Sequence, residues 1–227
     1  MTLNLFDQFL LPQLFNINLL PMAMLPPLML VFTNSRQLKN NRFVAITTWL
    51  MKKSTKTFMA QATPPAHKWS LMLITLASLL FATNMMGILP YTYTPTTQLS
   101  MNMALATPLW LATVLMGFRN HPSRSLAHLV PEGSPTPLIP ILIIIETISL
   151  FIRPVSLGVR LTANLTAGHL LLHLTSLATF STAHAAPAAL LIPATLLILL
   201  TTLEIAVALI QAYVFSLLIS LYLQENS

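Results

Sequence analysis

The chain has 227 residues, of which 55% are hydrophobic and only 7% are charged, with a formal net charge of +6 and no cysteine. Soluble domains carry about 25% charged residues, so this composition excludes a soluble globule, and the lack of cysteine excludes disulfides and thiolate metal sites. The apolar runs reach the roughly 20 residues that are needed to cross a bilayer, and they lack the alternating pattern of a β-barrel. The sequence therefore predicts an all-α polytopic integral membrane protein.

The first apolar stretch covers residues 3–32 and is interrupted by Pro12, Pro21, Pro26 and Pro27. It is long enough to span a bilayer, but proline removes a backbone donor and bends a helix, so we expect a kinked first span. The N-terminus lacks the basic region and the small-residue cleavage site of a signal peptide, and we therefore expect no cleavable targeting peptide.

A block of cations separates the first apolar stretch from the second: Arg36, Lys39, Arg42, Lys52, Lys53, Lys56 and Lys68. At about 100° per residue, Phe43, Ile46 and Leu50 cluster on one side of a helix and the nearby cations on another. This pattern predicts an amphipathic helix over 38–60 that lies in the headgroup region. Lysines and arginines gathered in one block indicate topology rather than nucleic-acid binding, so 36–68 marks the side that is not translocated.

Two simpler spans follow, at 69–89 and 101–118, and they form a hairpin. The loop between them carries no charge, whereas the next loop, 119–137, holds Arg119 and Arg124. The positive-inside rule therefore places 119–137 and the basic block on one side of the membrane. The neutral loop and the N-terminus then lie on the opposite side.

The last two apolar stretches, 137–180 and 186–223, are too long for one perpendicular crossing at about 1.5 Å per residue. The first of them must tilt steeply, break at Pro154 or lie partly across the membrane. A short turn joins the two, which predicts an antiparallel hairpin at the end of a single transmembrane domain covering 1–227. The sequence has no internal repeat, which weighs against an inverted-repeat transporter.

Charged side chains inside these long stretches are candidates for function, because a charge at bilayer depth costs roughly 2.5–3.5 kcal/mol. Arg160 is the strongest candidate, since apolar residues precede it for more than a helical turn. Arg153 and Asn164 lie within about 40° of it on a helical wheel, and Glu146 joins this stripe if Pro154 leaves the register intact. For Glu146 and Arg153, a position near the membrane interface is an equally good interpretation.

His169 lies about 180° from Arg160, so one helix presents cations on one side and an imidazole on the other. Two separate aqueous clefts could then approach the arginine. His169 and His173 have the spacing of a metal-binding pair, but no third ligand is evident and Leu170 stands where a zincin has its glutamate. A proton relay is the better use of a side chain that titrates near neutral pH, and we expect no metal and no cofactor.

On the last helix, Glu204 and Gln211 are seven residues apart and share a face with Ala208. A carboxyl group at this depth is suited to taking up and releasing protons. The chain has no phosphate-binding GxxxxGK[ST] loop, so nucleotide binding of that kind is excluded. These residues leave three function classes open: proton transport together with a partner, a secondary transporter or antiporter-like subunit with its own substrate cavity, and a membrane scaffold.

The segment ETISLFIRPVSLGVRLTANLTAGHLLLHL, together with LEIAVALIQAYVFSLLISLYLQ near the end, resembles subunit a of the mitochondrial F-type ATP synthases. The segments YTYTPTTQLSMNMA and PEGSPTPLIP are similar to the vertebrate form of that family. The resemblance implies the same elements: a first span, a surface amphipathic helix, a spanning hairpin, and two long tilted helices against a rotating ring of c subunits. It favours transport with a partner over the two other classes.

This resemblance also implies a subcellular location and a set of partners. The location is the mitochondrial inner membrane, with the basic block and the loop 119–137 on the matrix side and the N-terminus on the intermembrane-space side. The partners are the c-ring, the other stator subunits of the membrane sector and membrane lipid, with no nucleic acid and no nucleotide. The implied function is proton translocation through two offset half-channels, which couples the proton gradient to ATP synthesis elsewhere in the complex.

The family's essential arginine corresponds to Arg160, whose RLxAN context is intact, and the resemblance implies that it is a fixed-charge gate facing a rotor carboxylate. The implied proton pathway consists of Glu146, Asn164, His169, Glu204 and Gln211. Of these, His169 and Glu204 correspond to the half-channel on the intermembrane-space side and Glu146 to the one on the matrix side. His173 and Arg153 are possible further members, and the family pattern assigns no role to Arg153.

Overall fold

Helices dominate the fold. The computed structural model describes residues 7–10, 12–14, 17–31, 42–59, 68–89, 92–120, 122, 138–185 and 190–226. The α-helices in these ranges are α1 Leu20–Val31, α2 Arg42–Met59, α3 Ser70–Gly87, α4 Leu99–Asn120, α5 Ile139–Ala185 and α6 Leu191–Asn226. Two short strands, β1 Gln13–Leu14 and β2 Ile17–Asn18, pair antiparallel near the N-terminus. The all-α class predicted from the sequence is confirmed.

Four of the described helices, α3 to α6, are long and apolar enough to cross a membrane, which agrees with the predicted polytopic architecture. The bounds of α3 and α4 differ by at most two residues from the predicted spans 69–89 and 101–118. Those of α5 and α6 differ by up to five residues from 137–180 and 186–223. Long apolar runs therefore predict these helices well, because in lipid a helix satisfies all of its own backbone groups.

The N-terminal stretch differs from the single kinked helix expected over 3–32. Its described residues form a 3-10 turn at Asp7–Phe9, the β1–β2 pair, and then α1, which has 12 residues. At 1.5 Å per residue α1 is about 18 Å long, shorter than the ~30 Å hydrocarbon layer. Proline restricts the residue before it and cannot donate a backbone hydrogen bond, which favours short elements in this proline-rich stretch.

The amphipathic helix predicted over 38–60 corresponds to α2, and the predicted residues on either side of it lie outside the described ranges. Its lysines are exposed, and so are the apolar side chains of Ile46, Trp49 and Leu50. The ammonium group of Lys53 lies 5.1 Å from the centroid of the Trp49 ring. Apolar and cationic groups are thus presented together, and the headgroup location of α2 stays a prediction. Most of the loop 119–137 also lies outside the described residues.

The core lies where α3, α4, α5 and α6 meet. Leu80, Leu161 and Phe215 come from three of these helices and are almost completely buried. On α5 the buried residues Leu157, Leu161 and Leu165 recur every fourth position, so one stripe of this helix faces the bundle. The core also buries the small residues Ala106 and Ala212, and small residues allow membrane helices to approach closely.

α5 runs without interruption from Ile139 to Ala185, so the break at Pro154 that the sequence left open is not observed. Its 47 residues give a length of about 70 Å at 1.5 Å per residue. Proline costs one backbone hydrogen bond inside a helix, and the buried position of Pro154 against the bundle offsets this loss through packing.

Hydroxyl side chains on the membrane helices bond to their own helix. Examples are Thr147 donating to the carbonyl of Ile144, Thr166 to that of Thr162, Thr202 to that of Leu199 and Ser216 to that of Ala212. A hydroxyl that donates three or four residues back stays satisfied wherever the helix faces lipid. These residues therefore add polar atoms to the sequence without adding unpaired groups to the membrane.

Candidate functional site

A buried acid and an imidazole meet where α5 crosses α6. The Oε1 atom of Glu204 lies 3.4 Å from Nδ1 of His169, and the two side chains are 4% and 16% exposed. Glu204, Ala208 and Gln211 are all buried on one face of α6, as their spacing predicts. His169 continues the buried stripe of α5, four residues after Leu165.

The close approach at this crossing depends on a glycine. A Cβ atom added to Gly168 would lie 3.1 Å from Oε1 of Glu204, closer than most real side chains come, and 3.5 Å from its Cδ atom, an ordinary contact. Beside the carboxyl group, a cavity of about 40 Å³ is lined by Asn164, Gly168, Glu204 and apolar side chains. Both carboxyl oxygens are buried and lack a hydrogen-bond partner among the described residues. This cavity is large enough for a water molecule to hydrate them.

A second polar contact joins the same two helices. Nδ2 of Asn164 donates to Oε1 of Gln211 at 3.1 Å. Gln211 is buried, whereas Asn164 lies at the exposed edge of α5. The structure therefore brings four predicted site residues, Asn164, His169, Glu204 and Gln211, to one interface between α5 and α6.

Arg160 lies one turn before Asn164 and faces outward. It is exposed on a face that also presents Ile152, Ala163, Ala167 and Leu171, all of them exposed. Within the described ranges the structure records no ion pair and no side-chain hydrogen bond for Arg160. A guanidinium group stays protonated in proteins. The chain thus presents a permanent cation on an apolar outer surface, on a different face of α5 from His169, as the helical wheel predicts.

Glu146 and Arg153 form an ion pair on the N-terminal half of α5. Oε1 of Glu146 lies 3.7 Å from Nη2 of Arg153, and the side chains are 37% and 33% exposed. The Cζ atom of Arg153 also lies 5.5 Å from the centroid of the Tyr222 ring on α6. The predicted stripe on α5 therefore consists of two parts in the structure, one paired and half-exposed, the other exposed at Arg160 and Asn164.

His173 lies one turn beyond His169, and its buried Nδ1 atom has no hydrogen-bond partner in the part of the chain that the structure describes. Among the described residues there is no cluster of three histidine, cysteine or acidic side chains that could hold a metal ion. Three other contributors were not predicted from the sequence: Gly168, Tyr222 and the buried Asn84 of α3. Asn84 is the one amide in the apolar run of α3, and that isolation is a signal which could have identified it.

Comparison with known proteins gives matches over almost the whole chain. The model of a family described as ATP synthase A chain matches residues 15–224. A protein of Tropidurus montanus named ATP synthase F(0) complex subunit a is 60% identical over 212 residues, which cover 93% of this chain and 100% of that protein. Proteins of the same name from Tachyglossus aculeatus aculeatus and Struthio camelus are each 57% identical, over 99% and 100% of this chain and 99% and 100% of their own lengths.

Proposed function

Because this chain belongs to the ATP synthase A chain family, it is a component of the membrane sector of an F-type ATP synthase, and we propose that it carries protons across the mitochondrial inner membrane through two offset half-channels. The half-channels open beside a ring of rotor subunits, each with a carboxyl group in the membrane. The basic block and the loop 119–137 lie on the matrix side in this proposal, and the N-terminus on the intermembrane-space side.

The half-channel on the intermembrane-space side uses the pair formed by His169 and Glu204. An imidazole and a carboxyl group can both be neutral, so the pair can hold or release a proton at a depth where net charge is unfavourable. The cavity beside Glu204 and the bonded amides of Asn164 and Gln211 lead along the α5–α6 interface toward the level of Arg160. A proton that reaches this point passes to a rotor carboxyl group.

Arg160 separates the two half-channels, and the observation that carries this role is its exposure on an apolar face with no partner in the described chain. Its fixed charge attracts an ionised rotor carboxylate and repels a proton that would pass directly from one half-channel to the other. A protonated carboxyl group leaves the cation and enters lipid at low cost, whereas an ionised one does not. Rotation is thereby tied to protonation.

The half-channel on the matrix side uses Glu146, which is half-exposed and can exchange its proton with water. Each proton that crosses about 100 mV of membrane potential releases about 2.3 kcal/mol. Several protons per turn of the ring therefore supply the energy of a phosphoanhydride bond made elsewhere in the complex.

The test is Arg160→Ala in the assembled complex, reconstituted into vesicles with an imposed proton gradient. We expect loss of gradient-driven ATP synthesis with normal subunit content, because no fixed charge then holds the rotor carboxylate. Ser156→Ala is the matched control, since Ser156 is exposed one turn earlier on α5 and its hydroxyl bonds only to the carbonyl of Arg153. Coupled synthesis by Arg160→Ala at the rate of this control would refute the gate.

A further inference from the structure

One exposed face of α2 combines bulky apolar side chains with cations, and we call it the mixed face. Its members are Ile46, Trp49, Leu50, Arg42, Lys52, Lys53 and Lys56. At about 100° per residue, they lie within an arc of about 160° on the helix surface. The three apolar side chains are at least 50% exposed. Both kinds of group therefore point away from the rest of the chain on the same side of α2.

The opposite side of α2 is the one that packs on the bundle. Val44, Thr47, Met51 and Ser54 are half-buried there, and α2 contacts α3 and α6. The hydroxyl groups of Thr47 and Ser54 donate to the carbonyls of Val44 and Met51 within α2 itself. Packing on the bundle therefore uses a partly polar side of the helix and leaves the more apolar residues outward.

The cations of the mixed face are not balanced within α2. The helix contains one arginine, three lysines and no acidic residue, and none of these cations forms an ion pair with a described residue. The ammonium group of Lys53 lies 5.1 Å from the centroid of the Trp49 ring. This cation–π contact leaves the ammonium donors available for hydrogen bonds. A ligand that complements the face must therefore be anionic.

The neighbours of α2 indicate where this ligand lies. α2 contacts α3, which is long and apolar enough to cross a membrane. The 18 residues of α3 extend about 27 Å, close to the ~30 Å of the hydrocarbon layer, so Ser70 at its start lies near one surface. Lys68 and Trp69 precede it, and tryptophan is typical of that boundary. Four cations are too costly to place in hydrocarbon, so α2 meets α3 at the membrane surface.

A phospholipid surface offers partners for both kinds of group on the mixed face. Its phosphates lie directly above the first carbons of the acyl chains, so a helix along this surface reaches both layers. Lysine extends a flexible apolar stem with a charged end toward the phosphates. An indole ring has one polar edge and an apolar body, which suits the same boundary. The excess of cations favours a lipid with net negative charge over a zwitterionic one.

We propose that the mixed face of α2 binds anionic phospholipid of the surrounding bilayer. The ammonium groups of Lys52, Lys53 and Lys56 hold the headgroup phosphates. The side chains of Ile46 and Trp49 lie among the first acyl carbons beneath them. This inference goes beyond the proposed function, because it involves no proton transfer and no residue of the half-channels.

The test uses the assembled complex in phosphatidylcholine vesicles with a trace of a photoreactive lipid. The probe is either phosphatidylglycerol or phosphatidylcholine, each with the same diazirine near the start of one acyl chain. Light cross-links the probe to the groups that it contacts, and mass spectrometry of the digested subunit measures the labelling of α2. We expect phosphatidylglycerol to label α2 more strongly than phosphatidylcholine. Added salt should reduce this difference, because ions screen the attraction.

Substitutions separate the charged from the apolar contribution. The combined changes Lys52→Gln, Lys53→Gln and Lys56→Gln should lower the ratio of phosphatidylglycerol to phosphatidylcholine labelling at least about tenfold, since each cation near an anionic surface contributes about fivefold in affinity. The same three lysines changed to arginine keep the charge and should keep the ratio within about twofold. Trp49→Ser should lower labelling by both probes alike. Lys68→Gln is the matched control, because Lys68 is an exposed lysine outside the mixed face, and it should leave the ratio nearly unchanged.

Three results would overturn the inference: equal labelling of α2 by the two probes in the unmodified complex, no effect of salt on their ratio, or an unchanged ratio in the glutamine variant. The first two need no variant to assemble. Labelling by neither probe, with the lysines cross-linked to another subunit, would identify an acidic protein as the partner and would also overturn it. Arg160→Ala should lose ATP synthesis with the lipid ratio unchanged, so the gate and the lipid site can fail separately.

Discussion

Two acidic side chains of this protein each lie beside a base, and the two pairs differ in burial rather than in distance. Glu204 and His169 approach to 3.4 Å, and Glu146 and Arg153 to 3.7 Å. The first pair is at most 16% exposed, whereas the side chains of the second are about one third exposed. A similar separation therefore occurs in two environments, one inside the helix bundle and one open to its surroundings.

The chemical identity of the base determines what this difference in burial means for proton transfer. Imidazole can lose its charge near neutral pH, so the buried pair can exist as two neutral groups and still exchange a proton. The guanidinium of Arg153 keeps its charge, so the contact with Glu146 always includes one permanent cation, whose field water and salt partly screen. A buried pair with a titratable base is suited to proton transfer. An exposed pair with a permanent cation contributes little to the free energy of folding. Three substitutions test this contrast.

The largest effect is expected for Glu204→Gln. Glutamine keeps the shape of the side chain but cannot bind and release a proton, and loss of a proton-transfer group typically costs about 10²–10⁴ in rate. We expect ATP-driven proton pumping by the assembled complex to fall at least about a hundredfold. Glu146→Gln, measured in parallel, should cost less, because water can reach that position. Equal losses for the two variants would show that burial does not distinguish the pairs.

A smaller effect is expected for Gly168→Ala. The added methyl group would lie 3.1 Å from Oε1 of Glu204, so the carboxyl group must shift relative to His169. Proton transfer is sensitive to such displacements, and we expect the pumping rate to fall about fivefold. Gly158→Ala is the control, since its methyl group would meet the flexible side chain of Met103 at 2.7 Å and not an acidic side chain. If the control lost pumping equally, general disturbance of α5 would explain both results.

The smallest effect is expected for Arg153→Gln. Half-exposed ion pairs contribute about 0–1 kcal/mol, and the contact with the Tyr222 ring adds about 0.5–1 kcal/mol. We therefore expect the pumping rate to change less than about twofold and the melting temperature of the membrane sector to fall slightly. A loss as large as that of Glu204→Gln would mean that Arg153 itself is required for proton transfer.

The sequence predicts the parts of this architecture that depend on local pattern. The run lengths of α3 to α6 and the shared face of Glu204 and Gln211 follow from hydropathy and helical period alone. The contact between Glu204 and His169 does not, because it depends on where two helices cross. The same holds for Gly168, since a glycine inside a helix has no periodic signal and is significant only through the carboxyl group opposite it. The family resemblance had already assigned His169 and Glu204 to one half-channel. A resemblance can therefore relate two positions on different helices, which helical periodicity cannot do.

The N-terminal stretch shows where prediction from hydropathy fails. An apolar run of 30 residues predicts one span, yet its described residues form a turn, two short strands and the 12-residue α1. Hydropathy measures affinity for lipid, whereas proline limits the backbone hydrogen bonds: Pro12 precedes β1 and Pro21 lies in the first turn of α1, while Pro26 and Pro27 lie inside that helix. Where the two signals disagree, backbone chemistry determines the local structure.

The hydroxyl groups that bond to their own helices have an electrical consequence. A proton can move along a chain of hydroxyls only if each O–H bond is free to reorient, and a hydroxyl committed to a backbone carbonyl, as in Thr147 or Thr202, is not. These helices can therefore be rich in threonine and serine and still act as insulators. Among the described residues, the groups that remain available for proton transfer are buried polar side chains without such a partner, such as the carboxyl group of Glu204.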